Sequence, residues 1–165
     1  MSDIYLSCTT CSLRGRGIDE IEETFRYAAG AGYEHWGLGG PITYEAGLIQ
    51  WLDTKALKQR MKAAGLTSCT EVYSTGILNT SAKEAEQSAE QIVPAARAAV
   101  DLECPRVVFS GCTPRLPGGI EKTILGLKRL LELVSDLPVN ICLEPHRNSQ
   151  IIWMDDYDRI FSEID

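Results

Sequence analysis

Hydrophobic and polar positions along this chain alternate between two periods in a regular order. The stretch "DIYLSCTT" (residues 3–10) has the β-branched and aromatic content of a first strand. "IDEIEETFRYAAGAG" (18–32) then places Ile18, Ile21, Phe25, Ala28 and Ala29 on one helical face, with its acids in the first turn. Gly30 or Gly32 can close that helix in the left-handed conformation. "YEHWGL" (33–38) predicts a second strand and "GLGGP" a glycine-rich exit. Asp53 can cap a helix with Leu57, Met61 and Ala64 inward and Gly65 at its end. "LTSCTEVY" (66–73) predicts the third strand, and residues 82–101 are helical in composition. Pro94 is expected to break or kink that helix, or to open a second, shorter one. "RVVFSG" (106–111) reads as the fourth strand. Residues 119–134 form the clearest helix, with Ile120, Ile124, Leu127, Leu131 and Val134 on one stripe. "VNICLEPHR" (139–147) opens as a fifth strand, its apolar run reading as buried on both faces, and 154–165 begin another helix.

Five strands separated by helices, at a repeat of roughly 30–40 residues, make a parallel α/β architecture. Two folds compete. An open doubly wound sheet would be complete at this length. A (β/α)8 TIM barrel needs about 250 residues, so the chain would hold its first five units. Both folds put functional groups at the C-terminal ends of strands. The groups there are Thr9, Thr10 and Cys11; residues 37–40; Glu71, Tyr73 and Ser74; Ser110 and Gly111; and Glu144, His146, Arg147 and Asn148.

Composition narrows the partners. With 165 residues, 44% hydrophobic and 24% charged, the chain reads as one ordinary globular domain spanning 1–165. A net charge of -7 argues against a phosphate backbone as partner, since nucleic-acid affinity comes largely from Lys and Arg. No apolar run is long enough to cross a bilayer, and residues 1–5 are not the basic start of a signal peptide. Six cysteines without such a signal predict thiols in a reducing cytoplasm.

Glu144 poses the sharpest question, because a carboxylate ending a buried strand needs a positive partner. Candidates are a metal ion, a basic group such as Arg147, or a structural pairing with no function. His146 can share the site or simply hydrogen-bond backbone, and His35, inside the second strand, reads as structural. "CTTC" (8–11) is a rival signal for a redox pair or half a zinc site. No second such pair completes four zinc ligands, and "SLRGRG" separates it from the helix, so Cys8 is expected to pack inward with Cys11 in the loop. Arg14 and Arg16 in that loop can meet an anionic group or solvent. "GLGGP" lacks the spacing of a dinucleotide loop.

Taken in order, "IYLSCTT", "GYEHWGLGGP", "VVFSG", "ICLEPHRNS" and "DDYDRIFSEID" resemble the xylose-isomerase-like TIM-barrel superfamily, with its sugar phosphate isomerase/epimerase branch the nearest fit. The resemblance covers nearly the whole chain but about five of that fold's eight units. Its apurinic endonuclease branch fits less well: that branch uses histidines at early strand ends, where this chain has Glu71 and Ser110.

The resemblance implies a sugar or sugar-phosphate isomerase or epimerase that moves a proton next to a carbonyl. A divalent Mn²⁺ or Mg²⁺ would polarise the substrate oxygens. Glu144 would be both metal ligand and catalytic acid/base, with His146, Glu71 and Ser110 binding substrate. The family's three further ligands come from its last three strands, so the chain is expected to be truncated before them and to hold metal weakly or not at all alone. The alternative is a non-catalytic scaffold or oligomerising fragment of that fold. A partial barrel leaves two open strand edges, which predicts a homo-oligomer or other association through them.

Overall fold

The computed structural model describes residues 5–13, 19–44, 46–77, 79–111 and 114–164. The expected strand residues 3–4, together with Arg14, Arg16 and Ile18, lie outside them. Five strands form one sheet: β1 (Ser7–Thr9), β2 (His35–Leu38), β3 (Ser68–Tyr73), β4 (Arg106–Ser110) and β5 (Asn140–Glu144). The helices are α1 (Glu20–Gly30), the short α2 (Pro41–Tyr44) and α3 (Ala46–Ile49), α4 (Thr54–Ala63), α5 (Ala82–Asp101), α6 (Gly119–Leu133) and α7 (Met154–Phe161). Among the described residues no helix is long and apolar enough to cross a membrane.

Strand order decides between the two folds. All four pairings are parallel and the order is β1-β2-β3-β4-β5. A doubly wound sheet must reverse direction at a switch point, and this one never does. Right-handed crossovers advancing in one direction put every helix on the same face. The result is five consecutive staves of a barrel wall, with helices outside and a concave face left open inside.

Local chemistry sets the helix boundaries. The Asp19 carboxylate accepts from the Ile21 and Glu22 amides at 3.0 Å, and Asp53 accepts from Ala56 at 2.9 Å. Gly32 and Gly65, at φ 81° and 82°, end α1 and α4 in the left-handed region. Helix α1 buries Ile21, Thr24, Phe25 and Ala28. Ala29, expected on that face, is exposed, because one further residue turns it about 100° away. In α6 the buried stripe runs through Leu130 while Leu131 sits at its margin, for the same reason.

Pro94 corrects a second expectation. It neither breaks α5 nor starts a new helix; α5 runs unbroken through it. Proline in a helix interior costs about 3 kcal/mol. An almost continuous buried face, Ala85, Ala89 and Ile92 before it and Ala95, Ala96 and Ala99 after it, offsets that cost against the sheet and α6. The core between helices and sheet is otherwise aromatic and aliphatic. Trp36 of β2 meets Phe25 of α1 edge-on, ring centroids 4.8 Å apart.

Strand β5 is less buried than its apolar run suggested: Ile141, Cys142, Leu143 and Glu144 are all half-buried. It pairs only with β4 among the described residues, and its inner face looks into the open concavity. An apolar run reports what a strand could bury, and the neighbours decide what it does bury.

Candidate active site

Side chains alternate between the two faces of each strand, so the concave face can be read by parity. Trp36, Leu38, Cys69, Val72, Val107 and Phe109 are buried toward the helices. The opposite parity gives Gly37 in β2, Val108 and Ser110 in β4, and Cys142 and Glu144 in β5. β3 breaks the rule. Trp36 pairs with Cys69 but Leu38 pairs with Val72, so two residues of β3, Thr70 and Glu71, oppose Gly37 alone. This is a β-bulge, and it re-aims every later side chain of its strand. Because of it Val72 returns to the core while Glu71 and Tyr73 join the concave face.

Two glycines accommodate them. A Cβ at position 37 would collide with the Glu71 carboxylate. One at position 39 would collide with Cys11 Sγ and lie 3.3 Å from the Tyr73 ring. Thr10 fixes this part of the rim: its hydroxyl donates to the Gly39 carbonyl and accepts from the Gly39 amide at 2.7 Å. Thr70 Oγ1 lies 3.1 Å from Glu71 Oε2 and 2.8 Å from Ser7 Oγ, tying β3 to β1 across β2.

Glu144 ends β5 directly opposite Ser110 of β4, both half-buried. Among the described residues Glu144 makes no ion pair and no hydrogen bond, so the pairing with Arg147 is not formed. Its charge is felt by two phenols. Burial first, then Glu144, Glu71 and Cys11, push the Tyr73 hydroxyl up to about 12. Burial, Glu144 and Asp156 also raise Tyr157, whose hydroxyl donates to the Leu143 carbonyl at 3.1 Å. Both phenols are therefore neutral donors at ordinary pH.

The structure thus brings Glu144, Ser110 and Glu71 onto one concave surface and adds Tyr73, which sequence reasoning noted only as a strand-end group. His146 is placed differently. It is exposed in the loop after β5, with Nδ1 3.2 Å from the Arg147 carbonyl. His35 is structural, as expected, with Nδ1 2.9 Å from Ser68 Oγ and its ring edge-on to Tyr5. Cys8 is buried and Cys11 sits in the turn after β1, matching the packing reading of "CTTC".

Sequence reading missed the plate that holds the strand-end loops together. Gln150, buried after β5, accepts through Oε1 from Asn79 Nδ2 at 2.9 Å and from the Leu116 amide at 3.0 Å. Arg115 donates to the Gln150 carbonyl at 2.9 Å and forks onto buried Asp156 at 2.8 and 2.7 Å. Asp156 also accepts from the Ile152 and Trp153 amides, and the Arg115 guanidinium holds its carboxyl far below the usual range. Gly111 lets the Ile151 amide approach to 2.8 Å of where a Cβ would stand. Loops after β3, β4 and β5 are thereby joined beside Glu144. The available signal was the polar run "NSQ" (148–150), of which Ser149 and Gln150 are buried.

Among the described residues no cluster of three or more His, Cys, Asp or Glu side chains is disposed to hold a metal ion. Mg²⁺ and Mn²⁺ ask for about six hard ligands, and Glu144 supplies one carboxylate. The described residues do not by themselves fit such an ion.

Known proteins share this architecture. A 3-keto-D-glucoside 4-epimerase from E. coli superposes with a TM-score of 0.73 at 18% identity, covering 98% of this chain and 64% of that one. A probable 3-DHS dehydratase from Bacillus anthracis gives 0.71 at 15%, covering 98% and 59%. A sugar phosphate isomerase/epimerase from Parabacteroides distasonis gives 0.67 at 14%, covering 100% and 63%. At these identities the likeness is one of fold, and the chain spans less than two thirds of each of these proteins. No curated protein sequence matches significantly. The family described as xylose isomerase-like TIM barrel matches residues 25–165, and with the one-directional strand order this shows that the chain belongs to that family.

Proposed function

We propose that this chain furnishes part of a proton-transfer site for a sugar or sugar phosphate, with Glu144 as the carboxylate that takes and returns a proton next to the substrate carbonyl. The observation that carries the reading is the state of Glu144: half-buried at a strand end, on the concave face, with no partner among the described residues. A carboxylate held there unpaired is available as a base. It accepts the proton from the hydroxyl-bearing carbon while the C–H electron pair passes toward the carbonyl oxygen to give an enediolate. As the hydroxyl proton of that carbon shifts to the former carbonyl oxygen, the carboxylate returns its proton to the former carbonyl carbon and the sugar is isomerised. Ser110 would hold a substrate hydroxyl, and its position directly across from Glu144 on β4 supports that role. Family membership and fold neighbours that act on sugars support the substrate class. Were a divalent ion to take part, Glu144 would offer it one carboxylate, and the described residues would not complete its ligand set.

Solvent exchange tests this. Incubated with D-fructose in D2O, the protein should catalyse deuterium incorporation beside the carbonyl, and Glu144→Gln should slow it at least about 100-fold. Exchange no faster than buffer, or equal in the variant, overturns the reading.

A second reading, association through the sheet edges, is favoured by one observation. Among the described residues strands β1 and β5 each pair on one side only, and exposed Tyr5 and Leu6 directly precede β1. Light scattering decides it: a monomer at all concentrations removes this reading.

A further inference from the structure

The bulge in β3 and the glycines at 37, in β2, and 39, just after it, act together. The bulge keeps Val72 in the core while turning Glu71 and Tyr73 the other way, and the glycines leave room beside them. A regular β3 would keep its ladder with β2 and turn Glu71 and Tyr73 off the concave face. A side chain at 37 would strengthen β2, since glycine within a strand weakens it. Both irregularities have one joint effect. They lay a carboxylate and a phenol side by side over β2, on the surface that carries Glu144. Local rules broken together around polar side chains mark a functional surface.

We infer that Glu71 and Tyr73 form a recognition subsite for the vicinal diol of a polyhydroxylated ligand. The Glu71 carboxylate accepts from one hydroxyl, and the Tyr73 hydroxyl donates to its neighbour. The two side chains are two residues apart on one strand face, a spacing of about 7 Å at Cα that long side chains close. Complementary roles follow from chemistry: an ionised carboxylate is acceptor-only, and a phenol that stays protonated is a donor. The Tyr73 hydroxyl makes no hydrogen bond among the described residues. Glu71 is engaged at Oε2 by Thr70 and keeps acceptor capacity on both oxygens. A site built to pair hydroxyls rejects analogues lacking them, because its own polar groups are then left unsatisfied. The subsite rests on the sugar reading for its ligand class, and assigns to β3 the recognition that accompanies chemistry at β5.

Saturation-transfer NMR with D-fructose as probe, alongside the exchange assay, separates the two proposals. Wild type should show transfer to the sugar ring protons. Tyr73→Phe, Glu71→Gln and Gly37→Ala, which crowds Glu71, should each reduce it at least tenfold, with unchanged far-UV and near-UV circular dichroism. Glu144→Gln should keep binding while losing exchange. Transfer from wild type that persists undiminished in Tyr73→Phe and Glu71→Gln overturns the subsite and leaves the Glu144 chemistry standing. Binding that depends on Tyr73 and Glu71 without any exchange supports the subsite and overturns the chemistry. No transfer from wild type overturns the subsite, while the exchange assay still judges Glu144 separately.

Discussion

The concave face and the loop plate beside it meet at Glu144 and obey opposite rules. On the plate, Gln150, Arg115 and Asp156 are each matched to several partners, and Gly111 admits close backbone contact. On the concave face, neither Glu144 nor the Tyr73 hydroxyl has a hydrogen-bond partner among the described residues. A buried polar group is costly unless satisfied, so the plate's pairings maintain the fold. A half-buried group left unsatisfied beside such a network contributes little to stability and is available to a ligand. Satisfaction of hydrogen bonds, more than burial, separates scaffold from site here.

Substitutions should expose that contrast, and the largest effect is expected at Asp156. Asp156→Ala strands Arg115 and two amides, and should cost about 3 kcal/mol in denaturant unfolding, less than a fully buried pair because Arg115 is partly exposed. Its folded-state carboxyl is depressed, so the stabilisation is full above the unfolded value of about 4 and is lost as pH falls below it. The gap between wild type and variant should therefore be wide at pH 7 and shrink in acid; a gap independent of pH would refute the assignment. Gln150→Ala comes next, at about 2 kcal/mol, because Asn79 and the Leu116 amide lose their shared acceptor. Glu144→Gln should be smallest, within about 0.5 kcal/mol of wild type by the same measurement. A large loss there would mean that Glu144 belongs to the scaffold, and the contrast would collapse.

Much of the fold was legible because it rests on local chemistry. Asp19 and Asp53 announce helix starts, Gly32 and Gly65 announce ends, and the periods of α1, α4 and α6 identify their buried faces to within a residue. Pro94 was misjudged because helix propensity is local, while the alanine-rich face that holds α5 together is a matter of packing. Glu144 was legible as a polar residue ending an apolar run. The plate was not, since Asn79, Arg115 and Gln150 are distant in sequence and each alone reads as loop polarity.

By itself the sequence determined that strands and helices alternate in parallel βα units and that polar groups gather at strand ends, because periodicity and capping act within a few residues. Only the tertiary structure decided that the sheet advances in one direction, that a bulge turns Glu71 and Tyr73 toward Glu144, and that Glu144 stays unpaired among its described neighbours. Strand order, register and pairing are relations between distant segments, fixed by which surfaces bury one another, and no local pattern encodes them.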